Sequence, residues 1–296
     1  MNDTTVAAPH VAAGAAAPAA IRARPLRAFL AVAVFEFVVT ARSRWVTFAA
    51  AGFAAAAVAV SYFGLAAAGY AGFQGFERTA ISLLSLAISF VPLLGLVLGL
   101  GAFAFREGSD LAFVLPGERA VVVWGKLTGL AASAAAATLV GLGAAGLAIA
   151  AYAGADGVGG YLWLVAGCVM LAAVFVTLGG LAGLLVRDQL QASGLAVATW
   201  IWLVILYELV LLGVLFLVPE SSVRPLLVIG LFGSPVSLVR VLTLLAIGAE
   251  PVLGPGGALL LRWFGLPGTL LLLSGGLLAW ILLPGVAASR AARRRE

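Results

Sequence analysis

Side chains able to do chemistry are scarce in this sequence, and their spacing excludes most reactions before any fold is considered. The sole histidine, His10, lies in an Ala/Pro-rich stretch, where its ordinary role is that of a solvated tail residue. The sole cysteine, Cys168, lies inside an apolar run, so neither a disulfide framework nor a thiolate cluster can form within one chain. Met1 and Met170 are the only thioethers, which leaves soft-metal chemistry almost without ligands. There is no HExxH pair, no carboxylate pair inside an apolar run and no serine motif backed by a base. Gly125-Lys126 looks like the end of a phosphate-binding loop, but Ala120 replaces its first glycine and Leu127 its required Ser/Thr. The sequence therefore predicts no enzymatic activity, no metal and no cofactor.

One acid does stand in an apolar setting. Glu208 lies within the run Gly194–Val218, where a carboxylate is costly and by default marks a functional site. The alternatives are a protonated acid, a hydrogen bond to a neighbouring helix, or a place near the membrane interface. Tyr207 beside it, with Trp200 and Trp202, equally suits an interfacial aromatic belt.

Composition dictates the scaffold that carries these residues. Of 296 residues, 64% are hydrophobic and 10% charged, against roughly a quarter charged in soluble chains. A soluble fold could not hide that much apolar surface, whereas a bilayer accepts it. Trp45–Ala67, Ile81–Phe103, Leu127–Ala150, Leu162–Val186, Gly194–Val218 and Pro267–Ala288 are each long enough to cross about 30 Å of hydrocarbon. The predicted fold is an all-α integral membrane protein with six transmembrane helices between residues 45 and 288. Residues 1–20 are low-complexity and are expected to be a disordered tail rather than a signal peptide. Residues 21–44 carry an apolar stripe (Leu26, Phe29, Leu30, Ala33, Val34, Phe37, Val38) flanked by arginines, which suits a helix lying in the interface. Residues 289–296 form a basic tail.

The net charge of +5 does not point to nucleic acid, because the cations are spread among short loops. Arg22, Arg24, Arg27, Arg42 and Arg44 precede the first span. Arg106, Arg119 and Lys126 follow the second, Arg187 the fourth, and Arg290, Arg293, Arg294 and Arg295 the sixth. The opposite side holds Arg78, Arg224, Arg240 and Arg262. This bias predicts that both termini are cytoplasmic, and membrane lipid is the chain's surrounding partner.

Leu226–Gly248 is also long and apolar, but Gly233-Ser234-Pro235 breaks it and an intramembrane Arg240 would cost about 2.5 to 3.5 kcal/mol. It is read as part of a re-entrant outer segment, 219–266, with its turn shielded by the bundle. Glu250 and Gly254-Pro255-Gly256-Gly257 are read as an outer loop, and Pro235, Arg240 and Glu250 as contacts for an outer partner. Gly95-x-x-x-Gly99 and Gly179-x-x-x-Gly183, with Ala137, Gly141 and Ala145, predict close helix packing.

The connection 104–126 opens with Arg106, Glu107 and Asp110, continues through Leu111, Phe113, Val114 and Leu115, and breaks at Pro116-Gly117. A short charged and apolar helix of this kind suits docking on a cytoplasmic partner. At this point the sequence resembles the ABC-2 type permeases, the membrane subunits of one class of ABC transporter. Arg106-Glu107, Leu111, Val114-Leu115, Pro116 to Arg119 and Gly125-Lys126 follow that family's loop in order, although Ala112 replaces its usual acid and the loop is about two residues short. Tyr207-Glu208 leading to Leu209–Gly213, Ser234-Pro235 leading to Leu238–Leu242, and Leu253-Gly254-Pro255 are similar to the permease of the nitrous-oxide-reductase maturation (Nos) transporter.

The resemblance implies a homodimer bound to two copies of a separate ATP-binding subunit in the bacterial inner membrane. It places Arg106, Glu107, Asp110, Leu111, Val114 and Leu115 against that ATPase. For the Nos branch it implies a periplasmic partner protein and a role in maturing the copper sites of nitrous oxide reductase. The dearth of soft ligands favours transmission of ATP-driven motion over copper conduction. The competing readings are an exporter of a lipid, drug or other amphiphile, and an ion-coupled secondary transporter using Glu208 as proton carrier.

Overall fold

Inside hydrocarbon no water can satisfy the backbone, so a chain of this composition must pair its own N–H and C=O groups along helices. The computed structural model describes residues 25–67, 72–104, 119–153, 157–186, 188–249 and 253–293, which contain no strand. A first helix, α1 (Pro25–Ala41), precedes α2 (Arg44–Ala67), α3 (Gly72–Ala104), α4 (Arg119–Ala153) and α5 (Val158–Leu185). The next, α6, runs through Gln189–Ile201, a π-helical segment Trp202–Leu206, and Tyr207–Leu217. Then come α7 (Glu220–Phe232), α8 (Pro235–Ala246) and α9 (Gly254–Arg293). Six helices, α2 to α6 and α9, are long and apolar enough to cross a membrane. Each contains one expected span to within a residue. Several of their serine and threonine hydroxyls bond back onto their own helices, as Ser61 does to the Ala57 carbonyl (2.8 Å) and Thr138 to Ala134 (2.8 Å), which removes the penalty of a bare hydroxyl in lipid.

The core is set by glycine. The two small-residue motifs face each other across α3 and α5. A Cβ on Gly99 would stand 2.2 Å from the Val176 carbonyl oxygen, and one on Gly179 would stand 2.5 Å from that of Leu96. Only hydrogen fits, so the backbones touch and α5 becomes the hub, with α3, α4, α8 and α9 packed around it. The third small-residue face also packs inward: Ala137 and Ala145 are buried, and Gly141 makes room for the Phe53 ring of α2.

Several expectations need correction. In α1 the expected stripe divides: Leu26, Leu30, Val34 and Val38 face outward, as a helix in the interface allows, while Ala33 and Phe37 turn inward. The face turned to α4 is Val32, Ala33, Glu36 and Phe37, because Gly129 lets that side approach closely. Helix α4 begins at Arg119, about two turns before the expected span, so Lys126 is helical and buried rather than in a loop. Gly254 to Gly257 is not a loop either. Gly254 adopts a positive φ of 74°, and Pro255 after it suits a first helical turn, where its missing N–H is not needed. The helix so begun breaks at Gly265, whose φ of 65° and ψ of 178° kink α9 before Pro267.

Candidate functional site

The most polar assembly among the apolar helices lies where α6 meets α7 and α8. Its parts are positioned by two breaks in regular structure. The first is the helix-to-helix break after Phe232, where α7 and α8 meet at a 99° bend. There the Ser234 hydroxyl caps α8 by accepting from the Ser237 N–H (3.4 Å), and Pro235 occupies the first helical turn. The second is the π-helical segment in α6, where the Tyr207 N–H reaches back to the Trp202 carbonyl. Such a bulge rotates the later turns of a helix relative to the earlier ones, and these bulges recur at functional sites.

The side chains that result form a ladder between the elements. Tyr207 donates its hydroxyl to the Gly230 carbonyl at 2.7 Å, lying over Gly233, where a Cβ would collide with the phenol oxygen at 1.9 Å. Ser234 donates to the Leu203 carbonyl at 3.5 Å, inside the π-helical segment. Ser237 donates to Glu208 Oε1 at 3.3 Å, and Arg240 donates to Glu208 Oε2 in a direct ion pair. Both charged side chains are about one-third exposed (36% and 35%), so the pair is partly screened where it opens on a recess. That recess, about 310 Å³, is lined by Leu211, Leu215, Leu227 and Leu244 beside the charged pair. Trp280 of α9 donates to the Phe232 carbonyl at 2.9 Å and so closes the end of α7.

Glu208 is thus neither a lone intramembrane acid nor a stranded one: Arg240 stands opposite it. The insertion penalty that argued against an intramembrane Arg240 applies to an unpaired arginine, and this one is paired. Pro235 is buried and shapes the turn, so in this arrangement it offers no surface to a partner. Glu250, and the whole set Arg106, Glu107, Asp110, Leu111, Val114 and Leu115, lie outside the described residues.

The sequence did not reveal a second ion pair. Lys126 Nζ of α4 lies 3.3 Å from Glu36 Oε1 of α1 and 5.3 Å above the Phe103 ring. Their side chains are only 4% and 12% exposed, so each charge depends on the other. The signal present in the sequence was an acid and a base, each alone on an otherwise apolar helix stretch. Nearby, Arg119 reaches the Ala292 carbonyl at 3.3 Å and ties the start of α4 to the end of α9.

No family model matches the chain. Over 210 residues it is 33% identical to the probable ABC transporter permease protein NosY of Pseudomonas aeruginosa, covering 69% of this chain and 76% of that one. The chain belongs to this ABC transporter permease family. The probable ABC transporter permease protein NosY of Stutzerimonas stutzeri is likewise 33% identical, over 191 residues, covering 62% and 69%. The permease is a multi-pass membrane protein, and its family implies an ATP-binding partner subunit.

Proposed function

We propose that this permease works as a homodimer with two copies of a separate ATP-binding subunit and passes the motion of ATP hydrolysis across the inner membrane. Both termini face the cytoplasm, and the bent pair α7–α8 is a re-entrant hairpin dipping in from the outer face. The observation that carries this reading is the ladder from Tyr207, Glu208 and Ser237 to Arg240. It ties the span α6 to α8, and with α7–α8 taken as the outer element such a tie is what a mechanical transmitter needs. On the resemblance of its sequence motifs to the Nos permease, the outer receiver is a periplasmic protein, and the process served is copper-site maturation of nitrous oxide reductase. In this reading Arg240 and Glu250 are contacts for that receiver, and residues 106–115 dock on the ATPase.

The test is co-expression with the cassette subunit, followed by purification and native mass spectrometry. A two-plus-two complex with ATPase activity is expected, and none from the permease alone. Leu111→Asp with Leu115→Asp would bury carboxylates in the docking groove at several kcal/mol and strip the ATPase from an inserted permease. Robust ATP turnover by the isolated chain would sink the reading. Retention of the ATPase by the double variant would move the docking surface elsewhere.

A second reading, export of an amphiphile, is supported by the leucine-lined recess beside Glu208 and Arg240. Vesicles loaded with labelled lipid separate the two, since a transmitter moves none.

A further inference from the structure

A cleft of about 490 Å³ shares helix α6 with the Glu208 ladder but none of the ladder's residues. Its walls are α1 and the start of α2 on one side and α3 and α6 on the other, with Leu130 of α4 at its floor. Its chemistry changes along its length. The α1–α2 connection, the end of α3 and the start of α6 lie at one membrane face, because successive spans alternate in direction. That end carries the hydroxyls of Thr40, Ser43 and Ser193. From there α3 continues inward with Val97 and Leu93, a wall of about 13 Å from Ala102 at 1.5 Å per residue.

The cleft opens sideways. Trp45, Leu93 and Val97 line it and are nonetheless 61%, 38% and 37% exposed, so its mouth faces the surrounding hydrocarbon. Two arginines adjoin the lining in the chain, and Asp188 begins α6 at the same face. Arg42 and Arg44 alternate with the lining residues Ser43 and Trp45, both are exposed, and neither forms an ion pair among the described residues. Glu36, the one acid in the lining, is already neutralised by Lys126.

We propose that this cleft holds an anionic phospholipid. Its phosphate sits at Arg42 and Arg44, its glycerol oxygens beside Thr40 and Ser43, and one acyl chain along Val97 and Leu93. The occupant must be apolar over most of its length, anionic at one end and able to enter from the bilayer. Basic pockets between transmembrane helices at a membrane face select anionic headgroups for the same reason. The site does not depend on the transporter reading.

The test uses the full chain, purified in detergent, depleted of lipid and then offered phosphatidylglycerol and phosphatidylcholine of identical acyl chains. Native mass spectrometry reads the lipid retained. Phosphatidylglycerol should win by roughly fivefold per rim arginine. Arg42→Gln with Arg44→Gln should abolish the preference, and Arg42→Lys with Arg44→Lys should keep most of it, which separates charge from misfolding. Val97→Trp, at a lipid-facing position, should lower retention of both lipids while elution stays monodisperse. Equal retention of the two lipids by the unaltered protein overturns the proposal, as does an unchanged preference in the glutamine variant. Displacement by inorganic phosphate would show a plain anion site. Displacement by the stoichiometric ATP-binding subunit would show a protein contact. Either overturns it.

Discussion

The contact of α3 with α5 and the contact of α6 with α7 and α8 join apolar helices in a solvent as apolar as themselves, and they do so in opposite ways. Lipid gives little hydrophobic drive for helices to associate, so shape or polarity must supply it. Between α3 and α5 it is shape: glycines bring backbone onto backbone, and 61% of the α5 span is buried. Only 6% of the α6 span is buried, and α6 is held to the bent pair α7–α8 by a few hydroxyls and one ion pair. A contact spread over a whole helix face has one arrangement. A contact that rests on five polar side chains is the easier of the two to open.

Four substitutions test that contrast. The largest effect belongs to the glycine interlock. Gly99→Leu drives a side chain into the Val176 carbonyl, and overpacking against immovable backbone should exceed the usual 1 to 3 kcal/mol. Monodisperse protein should be lost, while Gly143→Leu, with nothing within 4 Å of its Cβ, should purify normally. Equal yields would remove the basis of the comparison.

Next comes Lys126→Met, which leaves Glu36 buried without its ion-pair partner. The expected loss is about 3 kcal/mol. It should appear as detachment of α1 in limited proteolysis before the bundle unfolds. Glu36→Gln combined with Lys126→Met should recover most of the loss, and failure to do so would mean that the pair is not what anchors α1.

Glu208→Ala should cost less, about 1 to 2 kcal/mol, because the pair is one-third exposed. Hydrogen exchange should speed up in α6 and α8 and stay unchanged in α3 and α5. Acceleration everywhere would show that α6 is no looser than the core. The smallest effect is that of Tyr207→Phe, which removes one hydrogen bond to Gly230. About 0.6 kcal/mol is typical of such bonds between membrane helices. A loss several times larger would mean that the ladder acts as a unit rather than bond by bond.

Features whose cause is local were legible in the sequence. Hydropathy over about 20 residues marks a span wherever it occurs, and backbone pairing in lipid then forces a helix, so Trp45–Ala67 and its five counterparts could be read directly. Gly233-Ser234-Pro235 is a break in any context, since a serine cap and a proline start a new helix there. Features that depend on a partner distant in the chain came from tertiary packing alone. In α1 apolar residues cover every face, so periodicity could not choose between Leu30–Val34 and Val32–Ala33; the bare backbone of Gly129 chose. Glycines at 254, 256 and 257 read as a loop by propensity, yet Gly257 is buried against Leu253 and Val241, and packing overrides a propensity of about 1 kcal/mol. Glu208 and Arg240 each looked too costly for hydrocarbon when weighed alone. The energy of a charge is a property of the pair, and only the 99° fold of α7 on α8 brings this pair together.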